Sequence, residues 1–203
     1  MKKIRKSIFA AAVICAMALA LTGCGGSGNS GSGSGSDSGS KTASAGEVID
    51  NGAFSAVCPK GYLNIPQTDV FGEKDADGNY PISQKLLVFS YGAKDVYDVF
   101  SKPSVNIFLL DEGNTADGTI KTLGYFYDSI EETTFNVNGE ELKGVKTSSD
   151  DGFAYDIAFV EKDDRVFQFT VVTATEDGES GISMESDDVQ AICDSIEITA
   201  ADE

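Results

Sequence analysis

The patterned segments predict an α+β fold. We expect an antiparallel sheet of about six or seven strands with a four-strand meander, packed by a central helix and a short C-terminal helix. Three observations carry this. Apolar residues alternate at period two through most of residues 133–173, with turn residues between the runs. Ile120, Leu123, Tyr127 and Ile130 recur at helical spacing just before that stretch. Ser186, followed by Asp187 and Asp188, opens a second helical pattern with Val189, Ile192, Cys193 and Ile196 on one stripe.

In chain order, the first strand candidate covers residues 53–58 and continues through 62–65, with Pro59-Lys60-Gly61 breaking it. Two more follow at 84–91 and 104–110, and residues 93–101 fit a helical turn and a strand equally. The helix candidate comes next; Gly124 inside it costs about 1 kcal/mol against alanine. Phe135 and Val137 then alternate into Asn138-Gly139, a dipeptide that tolerates the positive φ of a two-residue hairpin. Residues 142–148 return, and Ser149-Asp150-Asp151-Gly152 turns the chain again. Phe153, Tyr155, Ile157 and Phe159 share one face of the next strand, and Lys162-Asp163-Asp164 leads into Phe167, Phe169 and Val171. The short helix runs to about residue 194, and a last strand covers 196–198.

The segment before this domain has a different character. Lys2, Lys3, Arg5 and Lys6 precede an apolar run of about 14 residues, shorter than the roughly 20 needed to span a bilayer and matched to a secretory signal. The run closes on Leu21-Thr22-Gly23-Cys24, which resembles the lipobox of bacterial lipoproteins. The resemblance implies that residues 1–23 are a lipoprotein signal peptide and that Cys24 is diacylated as the new N-terminus. Two acyl chains hold a membrane firmly, where one binds marginally. Residues 25–45 are built almost wholly of Gly and Ser. That composition lacks the apolar side chains that offset ordering entropy, so it reads as a linker of about 25 Å root-mean-square span, extensible to roughly 70 Å. Residues 46–203 then form one domain, large enough to bury a core. The expected location is the extracytoplasmic face of a cell membrane, with the lipid on Cys24 as the contact.

Charge and cysteine use narrow the functional classes. The chain carries 15 Lys and Arg against 33 Asp and Glu, a net charge of −18, and all the acids but Asp37 lie in the domain. Such a field repels phosphate backbones, so no nucleic-acid partner is expected. With Cys15 in the signal peptide and Cys24 acylated, only Cys58 and Cys193 remain. Outside the cytoplasm they are a candidate disulfide that closes a long loop; two small buried thiols are the alternative.

Phe54, Pro59, Gly61 and Tyr62 open the domain, and Asp194-Ser195-Ile196-Glu197-Ile198 follows its terminal helix. With the order of elements between them, these residues resemble the Mog1/PsbP-like α+β domains found in many bacterial lipoproteins. Those domains usually carry Gly-Trp where this chain has Gly61-Tyr62. Named members bind protein partners, one a small nuclear GTPase and one a photosynthetic membrane complex. The resemblance therefore implies a non-catalytic binding or accessory module.

The chemistry agrees with that expectation. The chain has no histidine, which removes Ser-His-Asp and Cys-His nucleophilic sites and His-containing zinc sites. No Gly-x-Ser-x-Gly elbow occurs, and no cofactor is expected. A carboxylate pair acting on cell-wall or other glycans is the alternative enzyme reading; the acids are too numerous for one pair to stand out. Residues 73–84 resemble a calcium loop through Asp75, Asp77 and Asn79 before Ile82. Glu73 stands where that loop begins with Asp, Gln84 where it ends with Glu, and Pro81 where a backbone donor is needed, so an Asp-Gly-Asn turn is the primary reading. Tyr125-Phe126-Tyr127 is read as serving the core at Phe126 and Tyr127, with an exposed aromatic surface as the alternative. The partner itself, a protein or a small ligand, is not readable.

Overall fold

The computed structural model describes residues 46–66, 85–127, 129–150, 152–175, 178 and 180–199. Ten strands and two α-helices appear among them. Strands β1 (Glu47–Asp50), β2 (Phe54–Cys58) and β10 (Glu197–Ile198) form a small antiparallel sheet in the order β1-β2-β10. The main sheet is built from β3 (Tyr62–Asn64), β4 (Leu86–Tyr91), β5 (Ser104–Leu109), β6 (Ile130–Val137), β7 (Glu140–Ser148), β8 (Ala154–Lys162) and β9 (Arg165–Ala174). Its order is β3-β4-β5-β9-β8-β7-β6, antiparallel throughout. Helix α1 spans Ala116–Leu123, α2 spans Asp187–Asp194, and a 3-10 turn spans Val96–Phe100.

The expected α+β class, the seven-stranded sheet and the four-strand meander β6-β7-β8-β9 are all present. Asn138 and Gly139 take φ of 54° and 90°, the two positive values of a type I′ turn. Asp163 and Asp164 do the same with φ of 50° and 60°, without a glycine to ease it.

Period-two alternation puts apolar residues on both faces of the main sheet, and each face is covered. Phe167, Phe169 and Val171 of β9 face the small sheet and α2, in a core shared with Phe54, Val189 and Ile192. The Phe54 and Phe167 rings meet edge-on at 5.1 Å and 72°, which joins the two sheets. Val172 of β9, with Phe108, Ile157 and Phe159, faces the other way under Ile120 and Leu123 of α1. Each large side chain so buried contributes about 1.5–3 kcal/mol by leaving water. The arrangement is a three-layer one: small sheet with α2, main sheet, then α1 with the 3-10 turn.

Three differences from the sequence expectation have local causes. The helix begins at Ala116, capped by Thr115 Oγ1 accepting from Gly118 N at 3.2 Å, and ends at Leu123. Tyr125 N and Phe126 N then donate to Thr122 and Leu123 carbonyls, tight three-residue turns that close the helix, and Ile130 starts β6. The first strand candidate splits between sheets: β2 joins the small sheet and β3 the main one. Finally, β1 has no counterpart among the sequence expectations; it pairs along the whole of β2.

Polar contacts lock α2 in place. β10 covers only Phe54 and Ser55 of β2, and Ser195 Oγ accepts from Val57 N at 2.8 Å while donating to Ile192 O at 2.7 Å. Ser186 makes no side-chain cap; its Oγ accepts from Ser183 N at 2.9 Å instead. Lys162 Nζ donates to the carbonyls of Asp194 at 2.9 Å and Ile196 at 3.0 Å, at the negative end of the helix.

Candidate functional site

The strand registers define one end of the main sheet, where Ile130, Thr147, Tyr155, Val172, Ser104 and Ser90 lie in one row. Two connections lie at this end of the sheet, one at β4–β5 and one entering β6. Residues 92–103 leave β4 and return to β5 through the 3-10 turn, and the chain leaving α1 enters β6. Asp95 sets the 3-10 turn by accepting from Tyr97 N at 2.9 Å, and Asp98 accepts from Lys94 N at 2.8 Å. That backbone bond holds the Asp98 carboxyl below the usual range.

Val96 and Val99 of the 3-10 turn, with Tyr127 and Phe153, pack onto the core beneath α1. Their anchoring leaves four aromatic rings outward at this end: Tyr97 (71% exposed), Phe100 (43%), Tyr125 (88%) and Phe126 (43%). Phe126 therefore does not serve the core as expected, whereas Tyr127 does. Tyr127 lies 5.8 Å from Tyr155, which stacks on Phe153 at 6.2 Å, so buried aromatics support the exposed ones. Burial, and then Tyr155, pushes the Tyr127 phenol well above its ordinary value.

Below this end, the helix-side face of the sheet holds polar side chains that the sequence expectations did not include. Ser90, Ser104, Gln168 and Thr170 are all buried, and Gln168 Nε2 donates to Thr170 Oγ1 at 3.3 Å. Ser90 Oγ has no hydrogen-bond partner among the described residues. The signal was available in β9, where Gln168 and Thr170 alternate with Phe167, Phe169 and Val171 in a strand buried on both faces.

Three of the described carboxylates lie within ion-pair distance of a lysine. Lys85 pairs with Asp111, and Lys143 with Asp117, whose carboxyl it holds below the usual range. Asp156 on β8 differs: burial pushes its carboxyl up, Lys146 at 3.9 Å opposes this, and Glu185 adds to it. Among the described residues no group of three or more His, Cys, Asp or Glu is placed to hold a metal. The calcium-loop candidates Asp75, Asp77 and Asn79 lie outside the described residues, as does Cys24.

Cys58 and Cys193 are both buried free thiols in the core between the sheets. Cys58 Sγ lies 3.8 Å from the Tyr62 carbonyl. Burial, and then Glu47, pushes its thiol up to about 11. Burial also pushes Cys193 to about 12 against the opposing pull of Lys162. Neither is a thiolate at neutral pH, so neither is an activated nucleophile.

No helix of the described residues is long and apolar enough to cross a membrane. No protein-family model matches the chain, and no curated protein matches it.

Proposed function

We propose that this chain is a membrane-anchored extracytoplasmic lipoprotein whose domain is a non-catalytic binding or accessory module, holding a protein or small ligand at the cell surface. The observation that carries the reading is four outward aromatic rings at one end of the sheet, Tyr97 and Phe100 on the β4–β5 connection and Tyr125 and Phe126 on the connection from α1 to β6. Tyr and Phe offer large, rigid contact area at low entropy cost, and rings left in water on rigid supports are what a docking surface supplies. The lipobox-like Leu21-Thr22-Gly23-Cys24 and the Gly/Ser stretch after it support the anchor. The sheet and helix order supports the likeness to Mog1/PsbP-like domains, whose named members bind proteins.

Two measurements test the proposal. Photo-cross-linking from position 125 in intact cells should recover one reproducible partner, and Tyr97→Ala with Tyr125→Ala should reduce that product about tenfold or more at unchanged thermal stability. Recovery of the same products at the same yield from the double variant sinks the docking role. Separately, Cys24→Ser should move the protein from the membrane fraction to the soluble fraction, and retention on membranes would rule out the lipid anchor.

Asp156 favours one second reading, a hydrolase. Burial raises this carboxyl above its ordinary value and Glu185 adds to the shift, which is the direction that a general acid needs. Loss of turnover on a glycan panel in Asp156→Asn would support it; absence of turnover in the parent removes it.

A further inference from the structure

Two Asn-Gly pairs stand in strand-to-strand turns, Asn51-Gly52 between β1 and β2 and Asn138-Gly139 between β6 and β7. In such a pair the glycine nitrogen can attack the asparagine side-chain carbon, because glycine has no Cβ to shield it. The fold treats the two pairs differently. Gly52 N donates to Asp50 Oδ1 at 2.7 Å, so the attacking nitrogen already rests on a carboxylate. Thr199 Oγ1 donates to the same oxygen at 3.2 Å and helps to fix it. Asn51 Oδ1 accepts from Ala53 N and Phe54 N, each at 3.1 Å, and this oxygen gains negative charge when the side-chain carbon is attacked. Asn51 Nδ2, the leaving group, is buried and has no hydrogen-bond partner among the described residues. Asp50 and Gly52 are exposed, and a Cβ at Gly52 would meet nothing within 4 Å, so water reaches the turn. The second pair lacks both the base and the free leaving group. Asn138 Nδ2 donates to Gln190 O at 3.0 Å, which ties the amide to α2, and Gly139 N donates to Asn136 Oδ1 at 3.2 Å, an uncharged amide oxygen.

We propose that Asn51 is a self-modification site, which converts through a cyclic imide to aspartate and isoaspartate while the fold preserves Asn138. As Gly52 N bonds to Asn51 Cγ, its proton passes to the Asp50 carboxylate. The N–H groups of Ala53 and Phe54 hold the oxyanion so formed. The bond from Cγ to Nδ2 then breaks, Asp50 returns the proton to the departing nitrogen, and ammonia leaves the imide ring behind. Water opens that ring. Addition at Cγ gives aspartate with the original backbone, and addition at the Asn51 backbone carbon leaves Gly52 attached through Cγ as isoaspartate. The sum is amide plus water to acid plus ammonia, with no other reactant. Isoaspartate adds a backbone carbon to the turn that sets the pairing of β1 with β2. Among the described residues β2 is the one strand that β1 pairs with, so β1 is the element that loosens. The site uses neither the aromatic end nor the lipid and stands independently of the proposed function.

Peptide mapping of the purified full chain during incubation at mildly alkaline pH tests this. Conversion at each asparagine is read as the mass gain from amide to acid, and isoaspartate by its enzymatic methylation. In the folded protein Asn51 should convert about tenfold or more faster than Asn138. In urea the two rates should converge, because both pairs are then the same dipeptide without partners. Asp50→Asn keeps an acceptor for Gly52 N and removes the base, so it should slow Asn51 about tenfold and leave Asn138 unchanged. Asn138 in the same molecule reports any loss of fold in that variant. Gln190→Ala should speed Asn138 and leave Asn51 as it was. Equal rates at the two positions in the folded chain would overturn the proposal. So would a preference that persists in urea, an unchanged Asn51 rate in Asp50→Asn, or chain cleavage after Asn51 in place of the mass gain.

Discussion

Asp156 shows how one side chain can be read against its surroundings. It alternates into the face of β8 that carries Ala158 and Val160, where a carboxylate loses water; its compensation is a single contact at 3.9 Å to the half-exposed Lys146. An ion pair of that length and exposure is worth little, so desolvation prevails and the carboxyl is raised. The consequence for stability has a definite sign. Between the unfolded value near 3.8 and the raised folded one, the native state binds the proton more tightly, so stability falls as pH rises through that window. Above it the full penalty remains. Asp156→Asn should therefore melt at a higher temperature than the parent at neutral pH, with the difference shrinking as pH falls through the raised value toward about 4 and gone below it. Thermal melts of both proteins across pH check this; a variant less stable at neutral pH would mean that the Lys146 contact outweighs burial. Gly144 shows the opposite case, a residue set by contact alone. A Cβ there would lie 2.2 Å from the Ile157 carbonyl and 2.7 Å from the Phe135 ring, and only glycine fits.

At the scale of elements, a lysine on one hairpin holds a helix from another layer. Lys162, beside the β8–β9 turn, reaches the carbonyls that α2 leaves unpaired at its C-terminus, and no basic residue in the last turn of α2 does that work. Lys162→Met keeps the apolar stem and removes the charge-assisted bonds. It should cost about 1–2 kcal/mol in urea unfolding, with the slope against denaturant unchanged. A cost no larger than that of Lys121→Met on the exposed face of α1 would show the contact to be idle. The sequence makes such elements legible to different degrees. The meander was readable because Asn138-Gly139 and the alternation of Phe153 to Phe159 are local signals. The stripe Ile120, Leu123, Tyr127 and Ile130 correctly marked residues that meet one core, yet only the first two are helical. Periodicity reports which side chains are buried together, and the tight turns after Leu123 satisfy it without a helix. The departure of β2 to a second sheet depends on pairing with β10 near the far end of the chain, which no local pattern carries, whereas β1 pairs with β2 across the local Asn51-Gly52 turn, where Gly52 takes a φ of 91°. Of the candidate site, Tyr125 was visible as one option, but Tyr97 and Phe100 were not, because their exposure follows from Val96 and Val99 turning inward.

For the whole molecule, the dominant fact is a net charge of −18, with every acid but Asp37 in residues 46–203. The described ion pairs engage few of those acids, and the rest repel one another across a domain small enough for every charge to feel several others. Folding brings them closer than the unfolded chain does, so repulsion lowers stability and salt should restore it. Between about 0.01 and 1 M ionic strength the screening length falls from about 30 to 3 Å, less than the spacing of most surface charges. The melting temperature should therefore rise with sodium chloride and rise equally with potassium chloride. Screening also weakens the Lys85–Asp111 and Lys143–Asp117 pairs, but these are exposed or half-exposed and each contributes within the range of about 0–1 kcal/mol. A melting temperature that falls with salt would show that favourable pairs outweigh the acidic field. The same titration separates general screening from a specific cation site. At fixed ionic strength, calcium at millimolar concentration should act as magnesium does if Asp75, Asp77 and Asn79 form an ordinary turn. A rise with calcium alone, saturating with concentration, would instead assign those three residues to an ion, because mass action stabilises only the state that binds.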